Sequence, residues 1–234
     1  MSINVPSSTN TCEALINAAE KLFIEKGHHS VSLRDITREA KANLAAVNYH
    51  FGSKEGLVQA VLKRRLLAIN QERMNALDRL EEQAQGKPLK PSHILDAFFG
   101  TLLRMAADEA GEGAGVLMLL ERTMSDPAAF IHTLFDHEYV PVLNRFREAL
   151  CAALPGVPQD EIIWRFQFML GATSYAIVGP QALRQVAGWC QGDDEKADAA
   201  LLLPRLMTFL QGGLRAPLPE GLDGQASSLH TRGH

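Results

Sequence analysis

Along this chain apolar residues recur at three- and four-residue intervals and nowhere alternate for long, which predicts helix throughout. Leu15, Ala18, Ala19, Leu22 and Phe23 form one apolar stripe, and Gly27 is placed to close that helix at its C′ position. Ser32-Leu33-Arg34-Asp35 reads as a capping box opening a short second helix to about Ala40. Asn43 is suited to cap a third helix to His50, and Ser53 a fourth running through roughly Leu80. Gly86-Lys87-Pro88 then marks a turn. Further helices are expected at about 92–108, 116–124, 127–152, 159–178 and 195–211. The breaks between them fall at the Gly-rich stretch 111–115, at Asp126-Pro127, at Pro155 to Pro158 and at Gly179-Pro180. Pro141 and Pro204 fall inside these patterns and should kink or split them. Residues 215–234 are rich in Gly, Pro, Ser and His and are expected to be a disordered tail.

The two short helices over residues 32–50, joined by a three-residue turn, have the spacing of a helix-turn-helix unit. The expected fold is therefore all-α: a three-helix head at about 10–55 and a larger helical domain at about 56–214. On a helical wheel Val47 and Phe51 face Ile36 and the first helix, while Ala45, Ala46, Asn48 and Tyr49 project away. That outward face suits a DNA groove. The small alanines permit close approach and offer methyls to thymine, an exposed Asn takes adenine bidentately, and Arg34 is placed to reach guanine. Tyr49, His50 and Lys54 have donors for phosphate oxygens, and the helix start at Ser53 adds backbone N–H groups. Taken singly, each of these side chains also fits a plain solvated helix end.

Composition changes this picture little. The 234 residues are 46% hydrophobic and 21% charged, which is ordinary for a globular chain. The formal net charge of −4 speaks against nucleic acid until its distribution is seen. Residues 11–70 hold nine Lys/Arg against six Asp/Glu, whereas residues 71–234 hold fourteen against twenty-one. Positive charge therefore sits where the motif sits. Arg104, Arg165 and Gln167 interrupt the longest apolar runs, so no membrane span is expected. The N-terminus lacks the basic-then-apolar order of a signal peptide. Cys12, Cys151 and Cys190 are scattered and odd in number, which fits a reduced cytoplasm better than a disulfide framework. His132 and Asp136 share a helix face at i, i+4, but no third group at metal spacing joins them. Without a phosphate loop, nucleophile elbow or Cys-x-x-Cys, neither an enzyme, a metal nor a cofactor is expected.

The stretch from Ser32 to Leu57 (Ser-Leu-Arg-Asp-Ile-Thr-Arg-Glu-Ala-Lys-Ala-Asn-Leu-Ala-Ala-Val-Asn-Tyr-His-Phe-Gly-Ser-Lys-Glu-Gly-Leu) closely resembles the DNA-binding signature of the TetR family. The resemblance implies a dimeric repressor that holds a double-stranded, palindromic operator and releases it to a small effector. Carried onto this chain, the DNA-binding set is Ser32, Arg34, Asn43, Leu44, Ala45, Ala46, Asn48, Tyr49, His50, Ser53 and Lys54. Two positions depart from the family pattern: Lys41 stands where Gly is usual in the turn, and Asn48 where Tyr is usual. A left-handed residue at position 41 would be costly for Lys. The segments Asn43–Lys54 and Trp164–Ala172, with Ala182-Leu183-Arg184, are similar to the fatty-acid-responsive, PsrA-like branch. That similarity implies a long-chain fatty acid or acyl-CoA as effector.

In the second half, residues 159–178 carry Ile162, Ile163, Trp164, Phe166, Phe168, Met169, Leu170, Tyr175, Ile177 and Val178 nearly all round the helix. Such a helix must be covered on every side, by its own core and a partner subunit or by a monomer core alone. Gly171, Ala172, Ser174 and Ala176 permit close helix approach, and residues 195–211 are placed to complete a four-helix interface. Six methionines lie beyond the head, as pocket lining or gap-filling core. Arg104, Met105, Met118, Arg122, Phe166, Met169 and Thr173 are the candidate ligand-binding set, with the arginines as anchors for a head group. A surface or ion-paired role for either arginine remains open. So do a non-acyl drug or metabolite as effector, and a helical protein-interaction module for the second half.

Overall fold

A computed structural model describes residues 8–26, 30–107, 113, 139–178 and 195–218, and every regular element among them is helical. Contacts divide the chain into two compact units, residues 1–69 with 108–136, and residues 70–107 with 137–234.

In the first unit, α1 (Ser8–Lys26), α2 (Leu33–Glu39), α3 (Leu44–Phe51) and the opening turns of α4 (Lys54–Ala84) enclose a core. Leu15, Ala19, Ile36, Val47, Leu57 and Val61 are each fully buried in it. Burial of one such aliphatic side chain contributes about 1.5–3 kcal/mol. The starts of α2 and α3 form where the caps allow. The Ser32 hydroxyl accepts from the Asp35 N–H at 3.2 Å, while Asp35 accepts from the Ser32 N–H at 3.1 Å, completing the capping box. The Asn43 side chain accepts from the Ala46 N–H at 2.8 Å, and Ser53 Oγ from the Gly56 N–H at 3.0 Å. A Cβ on Gly56 would overlap the Phe51 carbonyl oxygen, so glycine lets α4 start hard against the end of α3. Glu20, buried on α1, pairs with both Arg64 and Arg65 of α4. This polar tie inside the first unit leaves no trace in the hydrophobic pattern.

The second unit contains the remainder of α4, then α5 (Pro91–Leu95), a π turn (Asp96–Gly100), α6 (Thr101–Ala106), α7 (Val140–Ala153), α8 (Gln159–Val178) and α9 (Glu195–Leu214). The helix expected over 92–108 is thus interrupted by a widened turn, which buries Ala97, Phe98, Phe99 and Gly100 consecutively. Around Phe98 the rings of Phe99, Phe146 and Phe166 pack edge-on, with centroids 4.8–5.0 Å away. Arg165, only 6% exposed, donates to Glu161 at 2.7 Å and to the Leu214 carbonyl at 2.6 Å, tying α8 to the end of α9.

The two prolines differ in effect: the helix expected over 127–152 begins only at Val140, beside Pro141, whereas Pro204 does not split its helix. Pro141 occupies the first turn of α7, where no backbone N–H is needed, and Pro204 lies within α9 without splitting it. Gly27, the helix at 116–124, the first part of 127–152, the breaks at 126–127 and 179–180, and residues 219–234 lie outside the described residues.

Candidate nucleic-acid interface

On α3 the side chains separate as the wheel predicts. Val47 is fully buried, whereas Asn43, Leu44, Ala45, Asn48 and Tyr49 are exposed and Ala46 and His50 half-buried. Tyr49 is the most prominent, 82% exposed, with its ring standing edge-on to His50 at 5.0 Å. Ser32, Arg34 and Ser53 are exposed as well, and Lys54 is half-buried. Ser32, Asn43 and Ser53 each also serve as a cap, so three of these side chains shape the head whatever else they touch.

An open groove of about 910 Å³ runs beside α3, lined by Ala45, Ala46, Tyr49 and His50, by Lys41 and Ala42 in the turn, and by the start of α1. Sequence reasoning missed the α1 residues Asn10, Thr11 and Ala14 on this rim. Their only signal was a polar edge on an otherwise apolar helix. Lys41 sits in the turn with φ +51°, the left-handed conformation that glycine adopts freely.

Of the candidate ligand residues, five are described in the second unit. Arg104 is about half exposed, and its guanidinium meets the Asp96 carboxylate at 3.0 Å across the π turn. This is the ion-paired surface position left open from the sequence. Met105 is half-buried. On α8, Phe166 stacks against Phe98, Met169 is 4% exposed and Thr173 is 1% exposed, with no hydrogen-bond partner for the Thr173 hydroxyl. Met118 and Arg122, like His132 and Asp136, lie outside the described residues.

The buried charge that sequence reasoning missed is Arg73. It is 3% exposed on α4, donates to the Phe98 carbonyl at 3.0 Å and to Asn70 Oδ1 at 3.1 Å, and lies 3.7 Å over the Phe98 ring. Desolvation pulls its pKa below the ordinary arginine value, partly offset by the Tyr139 hydroxyl. Among the described residues no group of three or more His, Cys, Asp or Glu could hold a metal ion, and no helix is long and apolar enough to cross a membrane.

A capped helix-turn-helix head followed by further helices is the architecture of a DNA-binding transcriptional regulator. Residues 15–61 match the family of bacterial regulatory proteins of tetR type, and residues 96–213 match the tetracyclin repressor-like C-terminal domain. The chain therefore belongs to the TetR family of transcriptional regulators. It is 28% identical over 137 residues to the HTH-type transcriptional regulator UidR of Escherichia coli strain K12, a match covering 58% of this chain and 64% of that protein. The matched segment is thus less than two thirds of UidR. The fold is similar to the fatty acid degradation regulator FadR from Bacillus halodurans, with TM-score 0.56 and 15% identity over 92% of this chain and all of that one. A TetR-like regulator from Rhodococcus sp. RHA1 is similar at TM-score 0.54 and 16% identity, with the same coverage.

Proposed function

We propose that this chain is a dimeric, sequence-specific repressor, working on cytoplasmic DNA and released by a small hydrophobic ligand, a long-chain fatty acid or acyl-CoA. Residues 10–55 form its DNA-binding head and residues 56–214 its sensor and dimerisation domain. The observation that carries the reading is the outward face of α3, where Asn48 is exposed and Ala45 and an 82%-exposed Tyr49 line the open groove together with Lys41. In the major groove, Asn48 would read a base edge, with Arg34 beside it, and Tyr49, His50 and Lys54 would hold phosphates. Dimerisation rests on α8 and α9, whose Trp164, Phe168, Tyr175 and Phe209 are 46–66% exposed although large and apolar. A second copy covers such a face by the same helices related by a two-fold axis. The acyl ligand is supported by the PsrA-like segments; the likeness to FadR is one of fold alone.

Fluorescence anisotropy with a palindromic promoter fragment and a random duplex tests the head. Tyr49→Phe and Lys54→Ala should weaken both complexes, and Lys54→Ala should lower the salt slope by about one unit. Full affinity of either variant at every salt concentration would remove the docking model.

A further inference from the structure

Arg73 is a buried cation that no carboxylate among the described residues answers. Its hydrogen-bond partners are the Phe98 carbonyl, Asn70 Oδ1 at 3.1 Å and the Tyr139 hydroxyl at 3.5 Å, and below it lies the Phe98 ring, all of them uncharged. Among the described residues no carboxylate pairs with it, and its Nη2 donates to none of them. Buried guanidinium groups are ordinarily matched by a carboxylate, because a desolvated charge is costly alone. One helical turn earlier Asn70, 4% exposed, turns its Oδ1 to Arg73 and leaves its Nδ2 without an acceptor. The Arg73 bond fixes which way that amide points, so Nδ2 is a donor with nothing to donate to. The unpartnered Asn70 amide and the Arg73 guanidinium lie three residues apart on α4, and Arg73 sits over Phe98, whose ring packs with Phe146 and Phe166.

We infer that Arg73 and Asn70 form the anion seat of the effector site, taking the carboxylate of a small organic acid whose apolar body lies against the phenylalanine cluster. The inference rests on the effector reading above and makes it narrower. A carboxylate offers two coplanar oxygens, one for the guanidinium edge and one for the Asn70 amide, with the Tyr139 hydroxyl beside them. One cation and neutral donors balance a monoanion, so a free acid suits the seat better than a phosphate dianion or the uncharged acyl end of a thioester.

The test is calorimetric titration of the delipidated full chain with hexadecanoate and 4-phenylbutanoate, each against its alcohol, hexadecanol or 4-phenylbutanol. In the wild type at least one acid should bind about tenfold tighter than its alcohol. Arg73→Met should erase that preference while leaving the alcohol's affinity unchanged, and Asn70→Ala should reduce it about threefold. Equal binding of acid and alcohol, a preference that survives in Arg73→Met, or no binding of either acid overturns the seat. If circular dichroism shows Arg73→Met unfolded, Asn70→Ala decides by the same criterion. Binding of phenylbutanoate but not hexadecanoate, dependent on Arg73, would uphold the seat and remove the acyl reading. Hexadecanoate binding untouched by either variant would do the reverse.

Discussion

Lys41 holds the end of α2 in a conformation that its side chain opposes. Its N–H donates to the Arg38 carbonyl at 3.2 Å and the Ala42 N–H to the Thr37 carbonyl at 2.9 Å, the paired bonds of a Schellman turn. The turn needs a left-handed residue at position 41, and φ +51° supplies it against the clash of Cβ with the following carbonyl. Lys41→Gly should raise stability by about 1 kcal/mol in urea unfolding, while Lys41→Ala should not, since alanine keeps the Cβ. An equal gain from both variants would show that charge, not backbone strain, is what position 41 costs. The strain was flagged in advance only through the family pattern, where Gly is usual at this position, and on the condition that the residue be left-handed. Arg73 was not. In the run Gln71-Glu72-Arg73-Met74-Asn75 it looks like part of a solvated face, and only the packing of Phe98 on α4 takes it out of water.

Helix ends and helix faces differ in how far the sequence declares them. Caps are local, so α2 and α3 and the start of α4 fall where Ser32, Asn43 and Ser53 place them. The π turn at Asp96–Gly100 depends on how four consecutive side chains share one core and has no local signature. For α8 the pattern shows that apolar residues go all round, and the structure divides them into two faces. Ile162, Met169 and Thr173 are buried, while Trp164 and Phe168 stand 56% and 66% exposed. Gly171 lies on the exposed side, and a Cβ there meets nothing within 4 Å. An arginine at this position fits the single chain but not a close helix pair. Gly171→Arg should therefore give folded monomers that lose operator binding, seen by sedimentation velocity with far-UV helicity retained. A wild type already monomeric at about micromolar concentration would end the dimer proposal.

At the scale of the whole molecule, the proposed repressor needs its effector to distinguish two states of the dimer. A ligand of equal affinity for the DNA-bound and free states shifts nothing, however tightly it binds. Two heads fit successive major grooves only when about 34–36 Å apart, so modest movement transmitted along α4 would suffice for release. If the effector is acyl, each added CH₂ that is buried should contribute about 0.8 kcal/mol until no more can be accommodated. Release of the promoter fragment should then sharpen with chain length, reaching completion at about micromolar concentration for long-chain free acids, with CoA thioesters, which lack the carboxylate, weaker. Short-chain acids and bulky cationic drugs should leave the complex intact, the former for want of buried surface and the latter because a cation would meet Arg73. Anisotropy titrations across acids of increasing length, with a planar cationic dye alongside, measure this directly. Should every acid leave the DNA bound while the dye releases it, the effector is not acyl and the sensing domain is tuned to drugs instead.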